Sequence, residues 1–254
     1  MPHLQQGNKT ISFGNKRHVV SITNTFQRHS EREHIKNAVR HHLVKLTPQG
    51  KIKAREIGKN LPKDRTLKIY FSPSIRTKQT AHYLYRGHNE AGGSAARYFS
   101  KGTKGNLGSK RVGEREELMG KHLFRDEKRV QEEYSKVGRD NAKMVRNWID
   151  GDYKDITLSP KIISKDIAKS RVVLGQRAAG MGVKGYQIMN IGHDWQIMAL
   201  FEFLTKKKFT NIGVTMPLPN EGFTIHHTAS GRAILEYQGQ KFDVTRALKK
   251  ARKF

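Results

Sequence analysis

Apolar and polar positions alternate between two periods along this chain, and the changes of period mark out its elements. His18 to Phe26 (HVVSITNTF) is β-branched and apolar enough for a buried strand, and it stops at Gln27-Arg28-His29. Thr47-Pro48 then opens a helix, with Thr47 as N-cap, Pro48 in the first turn, Ile52, Ile57 and Leu61 on one face and Gly58 near the end. Leu67 to Phe71 (LKIYF) reads as a second short strand, running through Ser72-Pro73 into a helix at Arg76-Thr77-Lys78-Gln79-Thr80-Ala81.

From Gly87 to Gly113 the chain is rich in Gly, Ser and Lys with little periodicity, which predicts a long loop or insertion. Glu114 to Trp148 is predicted helical, with mixed charges and apolar Leu118, Leu123, Val130, Tyr134, Met144, Val145 and Trp148, and a further helix is predicted over Pro160 to Ala179. Tyr186 to Ile191 (YQIMNI) is a third buried strand. Gly192-His193-Asp194 follows it, then an apolar helix from Trp195 to Leu204. Gly222–His227 and Arg232–Tyr237 flank Ser230-Gly231 as a hairpin, and the tail from Arg246 is a basic helix or a frayed end.

Strand, helix, strand, helix, helical insertion, strand, helix is the order of an α/β fold, a three-layer sheet with helices on both faces. Three strands end directly in polar residues. Ligands of open α/β sheets bind beyond the carboxyl ends of the strands, so these residues are expected to converge there.

Composition narrows the chemistry. The 254 residues hold no cysteine, which excludes disulfides, a thiolate nucleophile and Cys-ligated metal. With 11 Phe, 8 Tyr and 2 Trp the chain can fill a core although only 35% of it is hydrophobic, so wholesale disorder is excluded. No apolar run is long enough to span a bilayer, and Met1 to Lys16 lacks the apolar region of a secretory signal. The expectation is therefore a cytoplasmic protein with no transmembrane segment.

The net charge is +27, from 49 Lys plus Arg against 22 Asp plus Glu, which favours phosphorylated or polyanionic partners, nucleic acid among them. Acidic side chains concentrate in the middle: residues 1–84 carry 17 basic and 4 acidic groups, 85–170 carry 19 and 13, and 171–254 carry 13 and 5. The runs Lys206-Lys207-Lys208 and Lys249-Lys250-Ala251-Arg252-Lys253 are candidates for nucleic-acid contact or plain solvated charge.

Other apparent motifs fail on context. Gly180 to Gly185 spells G-x-G-x-x-G, but it precedes a strand where a dinucleotide fingerprint must follow one. His29, Glu33 and His34 do not have zinc-motif spacing, and Gly102 to Lys110 lacks a G-K-[ST] ending.

After the first strand come Arg28-His29-Ser30-Glu31-Arg32, after the second Ser72-Pro73-Ser74-Ile75-Arg76-Thr77, and after the third His193-Asp194. Guanidiniums present planar forks that match phosphate oxygens. A neutral imidazole can attack phosphorus, a second can donate to a phosphoryl oxygen, and a carboxylic acid can protonate the leaving oxygen. The set is an inventory for phosphoryl transfer, which is mainly positioning and charge neutralisation.

These three motifs, in this order and each after a strand, resemble the histidine phosphatase superfamily, the phosphoglycerate mutase and acid phosphatase clan. The resemblance covers roughly 18–84 and 168–205. It implies a single phosphoglycerate mutase-like domain over 1–254, with 85–167 as a cap insertion. It also implies His29 as the nucleophile that becomes phosphohistidine, with Arg28, Arg76 and His193 holding the phosphoryl oxygens, and no metal or cofactor. Arg32 matches the extra arginine of the acid phosphatase branch, and Asp194 that branch's proton donor; in the mutase-like branch the acid is a glutamate of the insertion, for which Glu114, Glu116 and Glu117 are candidates.

Two positions depart from the pattern. Ser30 replaces the usual glycine, placing more side chain toward the phosphate pocket, and Arg32 is followed by Glu33-His34 where the acid phosphatase branch has a proline two places on. Asp194 also suits an N-cap for the following helix, and Arg32 a solvated charge. The expected function is a metal-independent phosphatase acting on phosphate monoesters of a polyanionic small molecule. The alternatives are a phosphomutase and a non-enzymatic, basic anion-binding module for nucleic acid or phosphoprotein with a vestigial pocket.

Overall fold

The computed structural model describes residues 10–14, 16–34, 43–95, 113–115, 118 and 123–252. Its organising strand is the β-branched run near the N-terminus, longer at both ends than its apolar centre predicts. Strand β2 spans Lys16–Arg28, after β1 at Thr10–Phe13, which folds back on it antiparallel. Helix α1 is Pro48–Asn60, β3 is Thr66–Phe71, α2 is Ile75–Glu90 and β4 is Gly113–Glu114. Helices α3 (Glu127–Lys136), α4 (Asn141–Asp150), α5 (Pro160–Ile167) and α6 (Val173–Gly180) follow, the last two joined by a π turn over Ala168–Val172. The chain ends with β5 (Tyr186–Gly192), α7 (Asp194–Thr205), β6 (Gly222–Thr228), β7 (Ala233–Tyr237), β8 (Gln240–Asp243) and α8 (Thr245–Arg252).

The sheet order is β4-β3-β5-β2-β6-β7-β8, with β2 through β5 parallel and β6 to β8 antiparallel. Arg28 pairs with Gly192, and Phe71 with Ile191. This register brings the residues that leave β2, β3 and β5 (His29, Ser72 and His193) to one edge. Helices α1 and α2 cover one face of the sheet, and α5 to α8 the other. The core between sheet and helices includes Leu67, Ile69, Ala81, Leu84, Ile191, Met198, Phe201 and Phe223, all at most 3% exposed. No helix of the described residues is long and apolar enough to cross a membrane.

Three expectations are corrected. First, of the three apolar positions predicted for α1, Ile57 and Leu61 pack against the core but Ile52 is 50% exposed, and the buried face is a stripe of small residues, Gly50, Ala54 and Gly58. Helices this close leave no room for side chains: a Cβ on Gly58 would lie 2.2 Å from the Leu84 carbonyl oxygen, and one on Gly87 2.0 Å from that of Arg55. Second, Glu114 to Trp148 is not one helix. Gly113–Glu114 pairs with the end of β3, Phe124 bridges to Thr157, and α3 and α4 are separated at Gly138, whose φ is +70°. Mixed charges and scattered apolar positions fit short amphipathic pieces as well as one long helix. Third, the C-terminal hairpin continues into β8, a polar edge strand with too little alternation to signal itself.

Candidate active site

Backbone geometry brings the three motifs together. The His29 amide donates to the Gly192 carbonyl (3.1 Å), the Arg28 amide to Glu221 (2.8 Å) and the Ser72 amide to Ile191 (3.1 Å), so each strand end is tied to its neighbour where polar residues begin.

His29 is 3% exposed. Its Nδ1 lies 2.7 Å from the Ser30 carbonyl oxygen, which can only accept, so Nδ1 carries the hydrogen and a neutral ring keeps its lone pair on Nε2. Burial pulls this imidazole well below the ordinary histidine range, and the guanidiniums of Arg76, Arg28 and Arg32 add to the effect. The ring meets His193 edge-on, with centroids 5.4 Å apart.

Arg76, in the first turn of α2, is buried and reaches His193 Nδ1 with Nη2 at 3.1 Å. A guanidinium donates, so Nδ1 accepts and the opposite nitrogen, Nε2, donates to Ser72 Oγ at 2.9 Å. Ser72 is held in turn by Thr77 and Ser74, a hydroxyl cluster at the start of α2. Burial, together with the like charges of Arg32 and Arg28, lowers Arg76 to about 10, against the opposing pull of Asp194. Arg32 is half-buried rather than solvated. Burial lowers it as well, and it feels the charges of Asp194 and Arg28, two members of the same site.

Arg28 Nη1 donates to the Pro217 carbonyl (2.7 Å) and Nη2 pairs with Asp194 Oδ2 (3.0 Å), both side chains about one-tenth exposed. Asp194 is the first residue of α7, with His193 as N-cap. Its Oδ1 accepts from the Trp195 amide (2.9 Å) and its Oδ2 also from Asn141 Nδ2 (3.0 Å). The N-cap expected at Asp194 is thus one residue earlier, at His193, and the carboxylate lies in the first turn, where it also pairs with Arg28. All its partners are N–H donors.

The departure at Ser30 is resolved by direction. Ser30 is fully buried, and its Oγ donates to the Gly50 carbonyl (2.7 Å), accepts from Asn220 Nδ2 (2.9 Å) and so is turned toward the start of α1. Its amide donates to Thr80 Oγ1 (3.0 Å). The hydroxyl fastens the loop carrying His29 rather than narrowing the space above it.

Residues that sequence reasoning passed over complete the arrangement. Asn141 opens α4, and that helix is seated by Trp148, which packs on Trp195 at 5.2 Å and donates from Nε1 to the Leu158 carbonyl (2.9 Å). Asn220 holds a left-handed φ of +67°, and its amide reaches the His29 carbonyl (3.3 Å). Asp140-Asn141 at a helix start and Pro219-Asn220-Glu221-Gly222 at a turn are cap and turn signals, and nothing in the sequence ties either to the motifs. Glu116 and Glu117 lie outside the described residues, and Glu114 is described through its backbone in β4. Among the described residues no group of three His, Asp or Glu side chains is arranged to hold a metal ion.

Around the buried His29 lone pair there are therefore three guanidiniums, a second imidazole and one carboxylate. Such a site has the chemistry to suit a tetrahedral dianion: the forks match its oxygens, and the positive charge concentrated there is poorly compensated by Asp194 alone.

Residues 25–92 match the family model described as histidine phosphatase superfamily (branch 1), a match that takes in Arg28, His29 and Arg76. The resemblance read from the motifs holds over these residues. Among solved structures, a mycobacterial hydrolase is similar at 15% identity and TM-score 0.53, over 86% of this chain and 98% of that one. A mycobacterial glucosyl-3-phosphoglycerate phosphatase with inorganic phosphate is similar at 15% identity and TM-score 0.52, over 86% and 97%. A phosphoglycerate mutase from Bacillus anthracis gives 15% identity and TM-score 0.51, over 91% and 97%. The fold is phosphoglycerate mutase-like. No curated protein matches the sequence.

Proposed function

We propose that this chain, a histidine phosphatase by family resemblance and fold, hydrolyses phosphate monoesters through a phosphohistidine at His29. The observation that carries the reading is the tautomer. The Ser30 carbonyl fixes hydrogen on Nδ1, and burial with three nearby guanidiniums keeps the ring neutral, so Nε2 offers a lone pair at the centre of an anion site.

Arg28, Arg32, Arg76 and His193 take the phosphoryl oxygens. His193 Nδ1 accepts from Arg76 in the free protein, so binding a dianion transfers the Arg76 donor to the ligand. His193 then donates in turn by gaining a proton or changing tautomer. In the first step the Nε2–phosphorus bond forms as the phosphorus–oxygen ester bond breaks, and Asp194 gives its proton to the leaving oxygen. In the second, water attacks phosphorus, its proton passes to Asp194, the phosphorus–nitrogen bond breaks and phosphate leaves. For Asp194 to carry a proton its contact with Arg28 has to loosen. A phosphoryl group that occupies the Arg28 fork does this, placing two anionic oxygens side by side to share a proton. The family match is to branch 1, in which the resemblance assigns the acid to a glutamate of the insertion, so Glu116 is the alternative acid.

The arginines supply the charge neutralisation that a metal supplies elsewhere. The similar structures are named as a hydrolase, a phosphatase and a mutase, and a phosphorylated small molecule is the substrate class that the last two names suggest. The test is hydrolysis of p-nitrophenyl phosphate in EDTA by wild type and His29→Ala. Turnover lost in the variant supports the reading. Equal turnover in both, or turnover by neither from acidic to neutral pH, overturns it.

A further inference from the structure

The far end of α7 from the active site carries a second positive region that phosphate-ester chemistry does not use. Helix α7 begins at Asp194 and ends eleven residues on at Thr205, about 17 Å away at 1.5 Å per residue. Lys206 and Lys207 follow it, Lys161 lies in the first turn of α5, and Arg246, Lys249 and Lys250 project from α8. All six side chains are exposed.

Helix α8 is attached by Leu248 and Ala251, both fully buried, and Arg246, Lys249 and Lys250 are spaced i, i+3 and i+4 on its outer side. Lys206 Nζ rests 4.6 Å from the ring centre of Phe203, and Lys207 Nζ 5.4 Å from that of Phe242, so two of the ammonium groups are held at the surface by cation–π contact. Part burial holds Lys206 below the ordinary lysine range, as do the charges of Lys250 and Lys161, so cations from three separate elements crowd one another.

Acids that would neutralise the region are engaged elsewhere. The five acidic residues of 171–254 bind as follows: Asp194 to Arg28, Glu202 to Arg146, Glu221 to the Leu218 amide, Glu236 to His226 and Asp243 to Arg232. Asp150 of α4 takes Arg146 and Lys208. Holding like charges together without counter-charge costs stability, and a bound polyanion removes that cost.

We infer that this face, formed by the ends of α5 and α7 and the outer side of α8, binds the phosphate backbone of double-stranded nucleic acid without reading sequence. Five of the six cations are lysines, point charges on long stems that suit a row of phosphates, where a single phosphorylated side chain would favour arginine forks. The aromatic rings of the region, Phe203 and Phe242, are half-buried under lysines, so they do not form the stacking platform that single strands use. A membrane surface fits less well, since the patch presents Ile162 as its one large exposed apolar side chain among the described residues.

The test is fluorescence anisotropy of a mixed-sequence duplex DNA of about 20 base pairs, titrated between about 50 and 200 mM KCl. Wild type should bind with a steep salt dependence. Joint replacement of Lys161, Lys206, Lys207 and Lys250 by Gln should flatten the log–log slope by about 3 and weaken binding at the lowest salt at least about tenfold. A control replacing exposed Lys53, Lys59, Lys128 and Lys184 by Gln should change the slope by less than about 1, and His29→Ala should bind like wild type. Circular dichroism of both lysine variants checks that they are folded. Equal losses in the two lysine variants, absence of saturable binding, or binding to phosphatidylserine vesicles with none to the duplex would each overturn the inference.

Discussion

Replacing glycine by alanine near the crossing of α1 and α2 separates the packing account from helix propensity, because the two predict opposite signs. In a helix interior Gly→Ala is worth up to about 1 kcal/mol of stabilisation. At Gly58 the new Cβ would sit 2.2 Å from the Leu84 carbonyl oxygen and 2.9 Å from its carbon, and these are backbone atoms that cannot rotate aside. Ordinary contact requires the helices to part by about 1 Å, and forcing one methyl into a closed core costs about 1–3 kcal/mol. Because the obstacle is backbone, the upper part of that range applies. Gly58→Ala should therefore lose about 1–2 kcal/mol net, or about 2–8 °C in Tm for a chain of this size.

Gly180, at the end of α6, is the control, since its added Cβ would meet nothing within 4 Å. Gly180→Ala should be neutral or stabilising by up to about 1 kcal/mol. Urea unfolding followed by circular dichroism, with m-values checked for constancy, reads both. The movement also bears on the site, since α2 carries Arg76 and Thr80 and the start of α1 carries the Gly50 carbonyl that holds Ser30. A Gly58→Ala protein with a midpoint at or above wild type would refute the close crossing.

Stability should fall with acid. His29 and His227 are buried with their protonation pushed below the usual range, His227 to about 3 by burial and by His226, so between about 3 and 6.5 the unfolded chain binds protons that the native state does not. Their contribution is intact above about 6.5 and shrinks as pH drops. At pH 5 His227 alone should cost about 2 kcal/mol relative to pH 7.5, a loss visible in urea midpoints and removed by His227→Phe. Ser30→Gly should lower stability by roughly 2 kcal/mol, from two lost hydrogen bonds and a freer backbone, yet leave KM for p-nitrophenyl phosphate within about twofold; a large KM change would place Ser30 Oγ in the phosphate pocket after all. Asp194→Asn should lower kcat about 10²–10⁴-fold for an alkyl phosphate and less for p-nitrophenyl phosphate, whose leaving group needs little protonation. The reverse outcome, with Glu116→Gln carrying the loss, would move the acid to the insertion.

Much of the site was legible because each motif follows a strand whose apolar run is unambiguous. Once β2, β3 and β5 are parallel neighbours, Arg28-His29, Ser72 to Arg76 and His193-Asp194 have one edge to share. The helix starting at Pro48 was equally plain from Thr47, whose hydroxyl accepts from the Gly50 amide as an N-cap should. Its packing face was legible only in part. Apolar periodicity picks out Ile57 and Leu61, which do meet the core, and Ile52, which does not, while the closest approach is made by small residues whose role is to be absent.

The middle of the chain was the least legible. Its charges and apolar residues satisfy short amphipathic helices and a long one equally, and Gly138, which divides α3 from α4, looks in sequence like any glycine. For the same reason Asn141 gave no hint of its reach to Asp194. That contact depends on Trp148 meeting Trp195 across 47 residues of chain, and a pairing of that kind has no local signature.

The central claim concerns one nitrogen atom. The most direct measurement is rapid acid-free quench of the protein with ³²P-labelled substrate, followed by peptide mapping of any covalent phosphate. The account predicts label on His29 that survives alkali, is lost in acid and is missing from His29→Ala. Label on another residue, or turnover by wild type with no phosphoprotein at any quench time and undiminished rate in His29→Ala, would contradict it.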